Sequence, residues 1–253
     1  MLIRLLALLS TCAPLALAQF PAPPAEPEPS TSEEKPAAKP SVKKLDETRY
    51  QVGQVTFDRK TREIRFPAKV NMTEGLLEFL VVHEKGKLHE SLFSTTTSPT
   101  DINLALTLLD YKASKELYPL PNETGGTSNK FPEVPAPLRA AARVNISAEW
   151  KEGDKTRKLT ANEMIQHEVK VTAMPPGPWV YGGSDFNEGK FIAETSGDII
   201  AIFLSMAALV NYPGEDNSDD TVWIPFPKRV PEIGTDVTLI ITPEQKENPL
   251  PKP

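Results

Sequence analysis

The sequence predicts an α+β fold, a mainly antiparallel β-sheet with a few short helices packed on it. Runs of period-two alternation outnumber runs at helical spacing. The helical runs are interspersed among the strands rather than alternating with them, so no series of βαβ units is expected. Polar, proline-laden termini enclose about 195 residues, a length typical of one domain.

Residues 50–57 alternate in part, and residues 63–70 (EIRFPAKV) continue in strand fashion after a charged turn at 58–62, so the two runs are expected to pair antiparallel. Residues 76–82 are almost continuously apolar and suit a central strand covered on both faces. Ser98-Pro99-Thr100-Asp101 opens the clearest helix, because proline suits an early helical position and Ile102, Leu104, Ala105, Leu108 and Leu109 recur at helical spacing. From 112 to 138 the pattern dissolves into a Pro-rich insertion too long for an ordinary connection. Alternation returns with Val144, Ile146 and Ala148, and Thr160 to Glu163 reads as a capping box for a short helix through His167. Strands are expected at 179–181, 189–195 and 199–203, a short helix at 205–210, and final strands at 221–224 and 236–242.

The termini point to export. Arg4, an apolar run and the small-x-small triplet Ala16-Leu17-Ala18 form a signal peptide over residues 1–18, cleaved after Ala18. Ser10, Thr11 and Pro14 interrupt the run, and a membrane-spanning helix needs about 20 predominantly apolar residues, so no transmembrane segment is expected. The alternative is a lipoprotein acylated at Cys12, although Thr11 precedes it poorly. Cleavage after Ala18 removes the only cysteine, and with it disulfides, thiolate zinc sites and cysteine nucleophiles. Residues 19–46 are a disordered Pro-rich tether, and residues 243–253 a tail of the same character. A net charge of −6 and a pI near 5.3 argue against nucleic acid or anionic lipid as partner.

Three constellations carry candidate chemistry. The stretch HEKGKLHESL, residues 83–92, sets His83 and His89 about a Lys-Gly-Lys centre and reads as a hairpin turning near Gly86. A two-residue loop sends the histidines to opposite faces. An odd loop brings both to one face, where His83, His89 and Glu90 could share zinc, although such a site needs three or four ligands. His89 and Glu90 as an acid/base pair, or His89 with Ser91 as a nucleophile, are further readings. The acidic loop with Asp216, Asp219 and Asp220 offers the oxygen chemistry that calcium prefers, without EF-hand spacing. Trp179 and Tyr181, two residues apart on a strand beside Gly182-Gly183, would form a stacking platform rimmed by Asp185 and Asn187 if they face solvent, and core if they face inward. No cofactor is expected. No GxSxG, Walker loop, dinucleotide fingerprint or HExxH occurs.

The segments VNMTEGLLEFLVVHEKGKLHESL, PWVYGGSDF, SGDIIAI, NYPGEDNSDDTVWIP and GTDVTLII, in this order, resemble the YdjY-like family of exported bacterial domains. The resemblance implies a single domain over residues 47–242 and an envelope setting, periplasmic or extracellular, without an assigned activity. The insertion at 112–138 looks longer than the family pattern. The functional expectation is a soluble, non-catalytic binding or scaffold domain, its partner an unknown envelope component or small ligand. The alternative is a metal-dependent or acid/base enzyme centred on His89 and Glu90.

Overall fold

The computed structural model describes residues 41–124 and 126–244. The signal-peptide segment, residues 19–40 of the tether and the tail from 245 lie outside the described residues.

In chain order the strands are β1 (Val42–Lys44), β2 (Arg49–Val52), β3 (Val55–Asp58), β4 (Ile64–Val70), β5 (Phe79–His83), β6 (Ser91–Thr95), β7 (Arg143–Glu152), β8 (Lys155–Thr160), β9 (Ile165–His167), β10 (Thr172–Ala173), β11 (Trp179–Tyr181), β12 (Phe186–Asn187), β13 (Lys190–Phe191), β14 (Asp198–Ala201), β15 (Val210–Asn211), β16 (Trp223–Pro225) and β17 (Asp236–Pro243). The helices are α1 (Pro99–Leu108), α2 (Ala136–Ala141), α3 (Ala161–Met164) and α4 (Ile192–Ser196).

These strands correct the predicted fold class. Rather than an open sheet with helices packed on it, eight strands close into a barrel in the order β4-β17-β7-β11-β15-β14-β5-β6, and β6 pairs back to β4 through Lys69↔Ser94 and Val70↔Phe93. Strands β1 to β3 extend from β4, and β8 extends from β7. Closure removes the edges that an open sheet leaves exposed. Inward-facing residues fill the interior: Phe66 and Val70 from β4, Val144, Ile146 and Ala148 from β7, Leu239 and Ile241 from β17. On β5, β11, β14 and β15 residues of both faces are buried. Phe79, Val82, Ala201 and Ala208 form a satellite cluster.

The local signals that form β7 and α1 agree with the sequence. Along β7, Val144, Ile146, Ala148 and Trp150 are buried and their neighbours are not. The Ser98 side chain caps α1 by accepting from the Thr100 amide, Pro99 opens it, and Ile102, Ala105 and Leu106 are fully buried. The capping box at Thr160 and Glu163 is complete, but α3 stops at Met164 and the chain continues as β9 instead of reaching His167 as helix.

Other expectations change. Residues 50–57 are two strands divided by a turn at Gly53, whose φ is +52°, and only β3 pairs antiparallel with β4. The strand expected over 189–195 is two residues of β13 followed by α4, which ends on Gly197 in the left-handed conformation. The helix expected at 205–210 is a series of turns, with the Ser205 amide held by Asn211. Val42–Lys44 pair with β2, so the fold begins before the tether boundary at 46. All three are exposed edge residues, which carry no burial pattern to reveal them.

The Pro-rich insertion is tied to the barrel. The Ser114 amide donates to the Tyr181 carbonyl (2.9 Å), Glu116 pairs with Arg143, and the buried Tyr118 hydroxyl accepts from Asn211 Nδ2 (2.9 Å).

Candidate functional site

The segment 83–92 is not a hairpin. Strands β5 and β6 lie parallel, with Phe79 opposite Ser91 and His83 opposite Thr95, so the chain leaves β5 and doubles back through a single 3-10 turn at Leu88–Glu90. Parallel pairs ordinarily need a crossover of a dozen or more residues. Here the return is made close to the barrel wall, where Gly86 crosses Gly197. A Cβ on Gly197 would sit 3.0 Å from the Gly86 Cα.

This path separates the residues expected to act together. His83 is half-buried, and its Nδ1 accepts from the Lys85 amide at 3.2 Å. The His89 side chain is 81% exposed, with Nε2 3.6 Å from Glu90. Ser91 is fully buried and its hydroxyl donates to the Lys87 carbonyl at 2.6 Å, so it caps the turn and has no access to a substrate. Among the described residues no group of three or more His, Cys, Asp or Glu is placed to hold a metal ion, which corrects the zinc set of His83, His89 and Glu90.

The acidic loop is likewise divided. Asp216 faces His167 Nε2 (3.5 Å) and Lys170 Nζ (3.3 Å). Asp219 accepts from the Thr221 amide and hydroxyl, which hold its carboxyl below the usual range, and Asp220 is exposed. The three carboxylates therefore do not converge as calcium would require.

The aromatic platform is core. Trp179 is 0% and Tyr181 4% exposed, and Val180 between them is buried as well. The Trp179 indole donates to Asn162 Oδ1 (3.0 Å), and the Tyr181 hydroxyl to Asn103 Oδ1 (2.6 Å). Asp185 and Asn187 are exposed and flank Phe186, which is itself exposed and tilted against Phe191 at 5.2 Å, while the Trp179 and Tyr181 rings they were expected to rim are buried.

What gathers around the 84–90 return is a different set. Glu78, just before β5, and Glu90 both face the Lys87 ammonium, at 3.8 and 3.5 Å. Burial raises the Glu78 carboxyl above its ordinary range, and the charge of Glu90 adds to this against the pull of Lys87. At the start of β14 lies Asp198, 4% exposed. Its Oδ2 accepts from the Ser205 hydroxyl at 3.1 Å, while its Oδ1 is buried without a protein partner. Burial raises Asp198 as well, opposed by Ser205 and Lys87. Carboxylates raised in this way can exchange protons nearer neutrality than free ones. Glu78, Lys87 and Asp198 were missed in the sequence, although an aspartate opening the apolar run DIIAI was a visible signal.

The raised Asp198 has a consequence for stability. Its folded form binds the proton more tightly than the unfolded chain, so its contribution is fully present below the unfolded carboxylate range and lost as pH rises through the folded value. Asp198→Asn, which mimics the protonated acid, is expected to raise the unfolding midpoint at pH 7 and to change it little at pH 3. Denaturant titrations at the two pH values check this, and a lower midpoint at pH 7 would show the charge to be stabilising.

No helix among the described residues is long and apolar enough to cross a membrane. The family model described as the YdjY domain matches residues 55–242. No curated protein and no solved structure matches the chain.

Proposed function

The chain belongs to the YdjY domain family, and we propose that it serves as a non-catalytic binding or scaffold domain, exported to the bacterial envelope and carried on the Pro-rich segment that precedes β1. The observation that supports this reading is the use made of the residues suited to chemistry. Ser91 caps a turn, His83 holds the Lys85 amide, and Trp179 and Tyr181 fill the barrel. His89, the most exposed of these side chains, makes its one ion-pair contact among the described residues with Glu90, at 3.6 Å.

Metal analysis of the purified mature protein tests the proposal. Wild type and His89→Ala are expected to carry the same substoichiometric zinc and calcium. One equivalent of zinc that vanishes in His89→Ala would overturn the reading in favour of a metal enzyme.

A second reading follows from Glu78 and Glu90, two carboxylates about one ammonium with Glu78 raised. In an acid/base enzyme, Glu78 would hold the proton and Glu90 accept one. Turnover of any hydrolase or isomerase substrate that is lost in both Glu78→Gln and Glu90→Gln, with unfolding unchanged, would favour it.

A further inference from the structure

From the free edge of β8 we infer that this strand is a docking edge for an extended acidic peptide, which adds to the sheet beside it. The inference rests on the binding-module reading above and names its partner class.

Strands β7 and β8 form a hairpin closed by Gly153-Asp154, with Glu152 opposite Lys155. Gly153 has φ +60° and Asp154 is not left-handed, the pattern of a II′ turn that opens with glycine. In such a two-residue hairpin the closing pair is hydrogen-bonded, and the pairs alternate from there. Lys155, Arg157 and Leu159 therefore direct their main-chain groups to β7, while Thr156, Lys158 and Thr160 direct theirs outward. The Thr160 amide bears this out, since it is taken by the Glu163 carboxylate in the capping box at 2.8 Å. Among the described residues β8 pairs with β7 alone, which leaves the amides and carbonyls of Thr156 and Lys158 available to an added strand.

The side chains select the occupant. Lys155, Thr156, Arg157 and Lys158 are all exposed, and Lys151 lies across the hairpin from Thr156. Lys155 and Arg157 project on one face and Lys158 on the other, so a strand laid along this edge meets cations on both of its faces. Among the described residues the only ion pair these cations make is Arg157 with Glu152, at 3.6 Å. A second copy pairing through its own β8 would bring lysines and arginine against lysines and arginine. That arrangement is the guard which edge strands use against self-association. An acidic extended chain meets no such repulsion, draws its affinity from main-chain bonds, and is selected by charge.

The probe is a capped octapeptide of alternating glutamate and threonine, titrated into the full mature chain and followed by amide exchange in NMR. Binding is expected with new protection at the Thr156 and Lys158 amides. Thr156→Pro removes one outward amide while keeping every charge and the β7 ladder, and is expected to weaken binding about tenfold; Lys158→Glu is expected to do the same. A peptide N-methylated at alternate residues, which leaves the protein unaltered, is expected not to bind. Absence of binding at millimolar peptide, equal binding by the N-methylated peptide or by folded Thr156→Pro, or dimerisation through β8 would each overturn the inference. Those failures concern β8 only, whereas the binding-module reading falls to stoichiometric zinc or to turnover.

Discussion

Replacing Trp179 with alanine is expected to destabilise the fold by about 3–5 kcal/mol, the range for truncating a large buried aromatic side chain. The indole is fully buried on β11, tilted against Tyr212 at 5.5 Å between ring centroids. It also donates to Asn162 Oδ1, and Asn162 in turn donates to the Pro175 carbonyl at 2.6 Å. The variant therefore leaves both a cavity and a buried amide oxygen without its donor. Trp179→Phe, which retains part of the volume, should lose less. Urea titrations with an unchanged slope would check the difference, and a loss below about 0.5 kcal/mol, the usual size of a surface substitution, would return Trp179 to the surface.

Asn211→Ala is expected to lower stability by roughly 2–4 kcal/mol, because each buried polar group left without a partner costs about 1–3 kcal/mol. Asn211 is fully buried in β15, accepts from the Ser205 amide at 2.8 Å and donates to the Tyr118 hydroxyl at 2.9 Å. Its second effect is local. With the Tyr118 anchor weakened, the insertion should open more often, and protease cleavage between 112 and 135 should accelerate under native conditions. An unchanged cleavage rate would mean that the Glu116–Arg143 pair and the Ser114 amide hold the insertion without Tyr118.

What could be read from the sequence was local. The alternation of Val144, Ile146 and Ala148, the cap at Ser98 and the capping box at Thr160 involve residues within a few positions of one another, and the structure keeps all of them. Barrel closure depends on Val70 meeting Phe93 and on Ile200 lying parallel to Val210, pairings that no local spacing encodes. The candidate site suffered the same loss. A Lys-Gly-Lys centre between two apolar runs resembles a hairpin whether the flanking strands are antiparallel or, as here, parallel. The spacing of Trp179 and Tyr181 correctly gives one side of a strand, but period two does not say whether that side faces water. For α4 a signal was present and outweighed: the β-prone Phe191-Ile192 suggested strand, whereas Gly197 is the left-handed residue that commonly ends a helix.

The last strand among the described residues sits in the middle of the ring. Strand β17 lies between β4 and β7, pairing with each over six residues. Until residues 236–243 have been synthesised, β4 and β7 face a gap one strand wide, and nothing earlier in the described chain fills it. Completion of the barrel therefore waits on β17: a nascent or truncated chain that lacks it holds two open strand edges. Removal of β17 should yield an aggregation-prone chain rather than a smaller folded one.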